Sequence, residues 1–163
     1  MLPGIQTFEV RRLPDERGYF AEGLRADWHD LLGEDVIVQS NISLSYPGII
    51  RAWHRHRRGQ VDYFLTIQGA LKICAYDDEP DSPTRGALDE LITSSDRPQI
   101  VRIPGKYWHG TKTVSPTPSL TVYMVNRLYD YKSPDEERRP WNDPSIINPR
   151  TARPFDWNLP PHK

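Results

Sequence analysis

The feature that most constrains this chain is a stretch of strict alternation. Val61, Tyr63, Leu65 and Ile67 alternate with Asp62, Phe64, Thr66 and Gln68, then Gly69 breaks the run, and Leu71, Ile73 and Ala75 alternate with Lys72, Cys74 and Tyr76. A period of two is the signature of a half-buried strand, and two such runs around a glycine predict a β-hairpin. Similar runs occur at Ile5–Val10, Val36–Leu44, Ile49–His54, Leu88–Thr93, Gln99–Ile103 and Ser119–Asn126. Segments rich in turn residues separate them, among them Leu13–Gly18, Tyr46–Gly48, Asp77–Gly86, Pro104-Gly105 and Ser115–Pro118. Sixteen prolines, poor in helix interiors and central strands, fit many short elements better than a helical bundle. Only Leu24–Gly33 has a helical face, formed by Leu24, Trp28, Leu31 and Leu32. The expectation is an all-β sandwich or barrel with one short helix, and a largely irregular tail over 131–163 that wraps the surface.

At 163 residues the chain fits one domain with a core of its own. Its 21 basic and 22 acidic residues give a formal charge of −1, so a general nucleic-acid binder is not expected despite the local run Arg51, His54, Arg55, His56, Arg57 and Arg58. The lone Cys74 excludes an internal disulfide framework and fits a reducing compartment. Met1–Arg12 has no apolar signal-peptide core, and no apolar run approaches a membrane span, so a cytoplasmic protein without a membrane partner is expected.

The chemistry is concentrated in two motifs. His54-Arg55-His56 would place two imidazoles on one face of a strand, Asp62 follows, and Gly69 lies seven residues further on. Pro104-Gly105 then leads to His109. A His-x-His pair, an acid, a glycine turn and a third histidine after Pro-Gly resemble the two motifs of cupins. That resemblance implies a double-stranded β-helix, or jelly-roll barrel, as the fold class. In metal-binding cupins such residues hold a first-row divalent metal, so His54, His56, Asp62 and His109 form a candidate ligand set. His29 and His162 fall in no motif and are expected at the surface.

A longer ordered series narrows the resemblance. Arg17-Gly18-Tyr19-Phe20-Ala21-Glu22, Gln39-Ser40-Asn41-Ile42-Ser43, Gly48–His54, Ile103-Pro104-Gly105, His109-Gly110, Tyr123, Tyr129 and Trp141-Asn142-Asp143-Pro144 follow one another over roughly residues 1–150. The series resembles the dTDP-4-dehydrorhamnose 3,5-epimerase family. The resemblance implies His54 as catalytic base and Tyr123 as general acid. It implies substrate-binding roles for Arg17, Glu22, Gln39, Asn41, Arg51, His109 and Tyr129, a nucleotide-linked sugar (a dTDP-sugar) as substrate, no cofactor, and a homodimer with exchanged strands. The chemistry asks for such residues. A base of near-neutral pKa removes a hydrogen beside a ketone, an acid on the other face returns one, and arginines hold the diphosphate.

Two departures stand out. The family has a lysine seven residues before the glycine of the first motif, and this chain has Asp62 there. The family's C-terminal Asp, which pairs with the catalytic histidine, has no counterpart after Asp156-Trp157-Asn158, and Asp62 and Asp143 are the candidates to replace it. The His54/His56 pair also resembles the cupin 3,4-ketoisomerases of related sugars. The open readings are therefore an epimerase, a ketoisomerase, a metal-dependent cupin enzyme, and a sugar-nucleotide-binding protein without activity.

Overall fold

The computed structural model describes residues 1–158. Fourteen strands and one helical turn follow in order: β1 (Gln6–Glu9), β2 (Arg12–Asp15), β3 (Gly18–Ala21), α1 (His29–Leu32), β4 (Gln39–Ser45), β5 (Ile50–Arg55), β6 (Val61–Gln68), β7 (Ala70–Tyr76), β8 (Leu88–Ser94), β9 (Gln99–Pro104), β10 (Trp108–Thr113), β11 (Ser119–Val125), β12 (Glu137–Arg138), β13 (Ile147–Asn148) and β14 (Arg153–Pro154). Two five-stranded antiparallel sheets face each other, β1-β9-β6-β11-β4 and β12-β5-β10-β7-β8. This is the expected jelly-roll barrel. Among the described residues no helix is long and apolar enough to cross a membrane.

The alternation around Gly69 reports which face of each strand is inward, but not which strands pair. β6 and β7 do not form a hairpin. β6 pairs with β9 and β11, and β7 with β10 and β8. Gly69, at φ +71°, carries the chain around a corner from one sheet to the other, where a Cβ would stand 2.7 Å from the Pro118 carbonyl. Most successive connections cross between the sheets in this way, so pairing is set by closure of the barrel rather than by sequence neighbours.

Alternation produces three packed layers. Phe64, Leu71, Ile73, Ala75, Val101 and Ile103 fill the interior. Val61, Tyr63 and Leu65, on the outer face of β6, are covered by Leu31 and Leu32, with Leu24 and Trp28 beside them. The apolar face expected at Leu24–Gly33 is therefore used, although only His29–Leu32 is helical. Arg25 hydrogen-bonds Asp27 and Glu22 locally, which favours a turn, and side-chain burial holds the segment without further helical turns.

The C-terminal tail is mostly irregular over its described residues, and it also forms part of a packed layer. Ile146, Phe155 and Trp157 are buried against Trp53, Cys74, Tyr76 and Trp108 on the outer face of the second sheet. The rings of Trp53 and Trp157 lie 4.8 Å apart, and both indole N–H groups donate to the Trp141 carbonyl. β12 extends the sheet along β5, and β13 pairs with β14. The Leu13–Gly18 segment, expected as a turn, forms the β2–β3 hairpin, and Trp108–Thr113 forms a strand that the reading omitted. Trp157→Ala should lower the unfolding free energy by about 3–5 kcal/mol in urea titration, because a large ring is removed from a closed layer.

Candidate active site

A register shift builds the wall of the site. β10 pairs with β5 through His109↔His54 and then Thr111↔Arg51, so one strand gains a residue on the other. Regular alternation would turn Arg51 and His54 to opposite faces, yet both line one cavity of about 660 Å³. Gly110 makes this possible, since a Cβ there would fall 2.3 Å from that of Ala52. The Pro-Gly turn performs a second close approach. The Gly105 N–H donates to the Gln60 carbonyl at 2.8 Å, and the Gly105 carbonyl accepts from the His56 N–H at 2.7 Å. The two motifs are thereby joined.

The cavity lies between the sheets. His54 and Arg51 stand on the β5 wall, and Gln39, Asn41 and Tyr123 on the β4–β11 wall, with Asp62 and His56 deeper and Tyr129 at the rim. Phe64 stacks on Tyr123 at 5.8 Å between centroids. Gln39 donates to Asn41 at 2.8 Å and accepts from the Tyr129 N–H at 2.9 Å, which ties the rim to the wall. Arg51 donates to the Ser45 hydroxyl and the Leu44 carbonyl, and it lines the cavity. His109 is fully buried behind the floor, its ring 4.2 Å from that of His54.

Arg17 and Glu22 are not brought to this cavity. Arg17 pairs with Asp15 on the β2–β3 hairpin, and Glu22 pairs with Arg25. Asp143 accepts from the Ser145 N–H and hydroxyl and lies 3.8 Å from Arg139, so it does not orient His54. Asp62 is spoken for as well, with His109 Nε2 at 3.0 Å and Gln60 donating at 2.8 Å. His29 is exposed, and His162 lies outside the described residues.

Several site residues were not anticipated. Gln60 lies two positions before Asp62 and shares its face, a relation the period of two carries. Glu136, Arg138 and Arg139 reach the cavity because β12 pairs Glu137 with Arg55 and Arg138 with His54. A half-buried network locks that strand: Arg55 bonds Asp78, Glu79 and Glu137, and the Arg55 and Arg139 guanidinium groups both stand over the Trp108 ring, at 4.3 and 4.1 Å. No local pattern in the tail announces this, because its partners lie far away in sequence.

The site sets its ionisable groups apart. Burial, followed by the charge of His109, holds His54 well below the usual imidazole value, so the ring is a free base at neutral pH. Burial, then Asp62 and Glu136, raises Tyr123 above the usual phenol value, so it keeps its proton. Burial acts most strongly on Asp62, to raise it, but His109 beside it, with the further influence of His56 and His54, outweighs burial and holds the carboxyl below its usual range.

Ligand nitrogens of His54, His56 and His109 lie within 4.8 Å of one another, so metal binding needs a direct test of fit. His56 Nδ1 bonds the Asp135 carbonyl, and His56 Nε2 accepts from Gln60 at 3.1 Å. His109 Nδ1 bonds the Tyr107 carbonyl at 2.9 Å, and its Nε2 faces Asp62. His56 is engaged at both nitrogens, so an ion would have to break one of those bonds to gain it as a ligand, whereas His109 Nε2 and Asp62 Oδ2 are buried without a hydrogen-bond partner among the described residues. With His56 committed at both nitrogens, the three imidazoles are not free together to ligate an ion as they stand.

A family profile described as dTDP-4-dehydrorhamnose 3,5-epimerase matches residues 1–149. The chain is similar to the probable low-salt glycan biosynthesis epimerase Agl13 of Haloferax volcanii, with 42% identity over 99% of each protein. It is similar to the spore coat polysaccharide biosynthesis protein SpsL of Bacillus subtilis, with 34% identity over 97% of each. Among solved structures it resembles the Legionella pneumophila dTDP-6-deoxy-D-glucose-3,5-epimerase RmlC in complex with dTDP-4-keto-L-rhamnose, with a TM-score of 0.79, 28% identity, and coverage of 90% of this chain and 78% of that one. A barrel with His54 and Tyr123 on facing walls, a profile match over most of the chain and a near full-length relative together place this chain in the dTDP-4-dehydrorhamnose 3,5-epimerase family.

Proposed function

We propose that this protein epimerises a nucleotide-linked 4-keto-6-deoxy sugar beside its ketone, with His54 as base and Tyr123 as acid. The observation that carries the reading is the opposition of the two groups. An imidazole held below its usual pKa and a phenol held above its own face one cavity from different sheets. Two groups whose environments push their ionisation apart are suited to opposite halves of a proton exchange. His54 takes the hydrogen from a carbon flanking the ketone, leaving an enolate and an imidazolium. Tyr123 gives its proton to the same carbon from the other side, which inverts it, and the two groups return to their starting states through solvent.

Arg51 and Arg138, cationic and at the cavity wall, are suited to the diphosphate, and Gln39, Asn41 and Tyr129 to the sugar and its nucleotide. The thymidine diphosphate conjugate is the proposed form, supported by the family and by the ligand of the Legionella structure. Catalysis in this reading uses no metal or other cofactor, which accords with ring nitrogens already engaged in hydrogen bonds.

The protein is proposed to act as a homodimer. Among the described residues the β2–β3 hairpin pairs only with itself, and it exposes Tyr19 and Phe20 together with Arg17. Ile42 and Leu44, on the edge strand β4, are exposed too. A second copy covering this surface would bring Arg17 and Glu22 to its partner's cavity, which accounts for their distance from their own.

Three measurements follow. Solvent deuterium should enter the carbon beside the ketone of dTDP-4-keto-6-deoxyglucose, and His54→Ala should slow this by about 10²–10⁴-fold. Tyr123→Phe should slow net inversion more than exchange, whereas exchange that persists in His54→Ala would show that another group is the base. Mixing Arg17→Ala with His54→Ala, each impaired alone, should restore about a quarter of the wild-type sites if Arg17 acts across subunits. Elemental analysis of protein purified without chelator should find no stoichiometric metal, and a metal lost on His56→Ala would overturn the cofactor-free reading.

A further inference from the structure

The proposed reaction leaves one charge without a partner. When His54 takes a proton from carbon, the electron pair of that C–H bond passes into a new C=C bond, and the carbonyl π pair moves onto oxygen. The oxygen gains a negative charge, and a donor already fixed beside it lowers the barrier more than one that must reorganise. Tyr123 is committed to the carbon and Arg51 to the diphosphate.

Position selects the donor. Thr121, Tyr123, Val125 and Arg127, each two residues apart, line the cavity in succession. Arg51 bonds Ser45, whose strand partner is Ser119, so Arg51 stands at one end of this row and Arg127 at the other, with Tyr123 between. At strand spacing, Ser119 and Arg127 each lie about 13 Å from Tyr123 along the backbone. In a pyranose ring the ketone at carbon 4 lies across from carbon 1, which carries the diphosphate. With the diphosphate at Arg51 and the ring between His54 and Tyr123, the ketone oxygen points toward the Arg127 end.

Charge and seating agree with position. Of the four arginines that line the cavity, Arg138, assigned with Arg51 to the diphosphate, is in addition paired with Glu136 at 2.8 Å, and Arg139 is paired with Asp78 and Asp143. Arg51 donates to neutral oxygens. Among the described residues the Arg127 side chain has neither an ion pair nor a hydrogen bond. The carboxylates that follow it, Asp130 and Asp135, accept from the backbone N–H groups of Lys132, Ser133, Arg57 and Arg58 instead. Gly59 gives the guanidinium its seat, since a Cβ there would stand 3.4 Å from Arg127 Nη2. Asn126 fastens the backbone before it, accepting from the Val61 N–H at 2.8 Å and donating to Asp35 at 2.7 Å, and the Tyr129 N–H fastens it after, at 2.9 Å from Gln39 Oε1.

We propose that Arg127 is a further catalytic residue, a fixed cation that donates hydrogen bonds to the ketone oxygen of the sugar and holds the charge that gathers there. The proposal rests on the reading of His54 as base toward a 4-keto sugar. Arg127 keeps its protons throughout, and when Tyr123 returns a proton to carbon, the carbonyl π bond forms again and the oxygen loses its charge.

Two measurements with dTDP-4-keto-6-deoxyglucose test it. Arg127→Ala should lower kcat for solvent deuterium exchange by about 10²–10³-fold with KM nearly unchanged. Net inversion should fall by the same factor, because both processes pass through the enolate, and Arg127→Lys or added guanidinium ion should restore part of the rate. A raised KM with unchanged kcat, or unaltered exchange, in folded Arg127→Ala protein would overturn the proposal. The second measurement places sugar labelled with carbon-13 at the ketone on His54→Ala protein, where turnover is blocked. Donation to the oxygen should move the carbonyl resonance downfield of its position in solution, and adding Arg127→Ala should abolish the shift. A shift that survives Arg127→Ala would overturn the proposal whatever the rates. A shift that depends on Arg127, in a protein whose unaltered form exchanges no deuterium, would sustain Arg127 as the donor and overturn the reading of His54 as base.

Discussion

A carboxylate in a barrel interior must be compensated where it stands, and the buried Asp62 organises much of what surrounds it. One oxygen receives Gln60 and the other faces His109. Gln60 is held in turn by the Gly105 turn and passes a second bond to His56, which anchors the tail at Asp135. A line of polar contacts thus runs from the tail, through both motifs, to the second sheet. Removing a member would leave an unpaired buried group, which is why the floor of the cavity behaves as a unit.

The second constraint is the way the tail is fastened. Arg55, on the opposite side of β5 from the histidines, meets three carboxylates and the face of Trp108. Such a charge is costly to bury alone and strongly held when paired. Its pairing brings β12 alongside β5 and sets Glu136 and Arg138 over His54. The strand that presents the proposed base therefore carries, on its other face, the residues that close the cavity above it.

Where the family has a lysine, the carboxylate of Asp62 at first looks like a loss of positive charge. The structure places His109 Nε2 3.0 Å from it, in the barrel interior. His54, in turn, is influenced by a ring of like kind instead of by a directly bonded carboxylate. The opposite displacements of His54 and Tyr123 arise mainly from burial, which disfavours the charged form of each.

Much was legible in the chain itself. Period-two alternation identifies the inward faces of β6 and β7, and the two histidine motifs with Asp62 name the residues of the cavity floor. These signals are local, since a strand's side-chain direction and a motif's residue types need no knowledge of the rest of the fold. The pairing of strands was not legible, and the expected hairpin at Gly69 became a corner between sheets. Nor were the register shift that turns Arg51 toward His54, the burial of the tail through Phe155 and Trp157, and the distance of Arg17 and Glu22 from the cavity. Each of these depends on contacts between segments far apart in sequence, where closure of the barrel and the space beside Gly110 and Ala52 decide the outcome. Sequence determined which groups are candidates for the chemistry; tertiary structure decided their surroundings, because a buried polar group is paired by whichever partners the fold brings within reach.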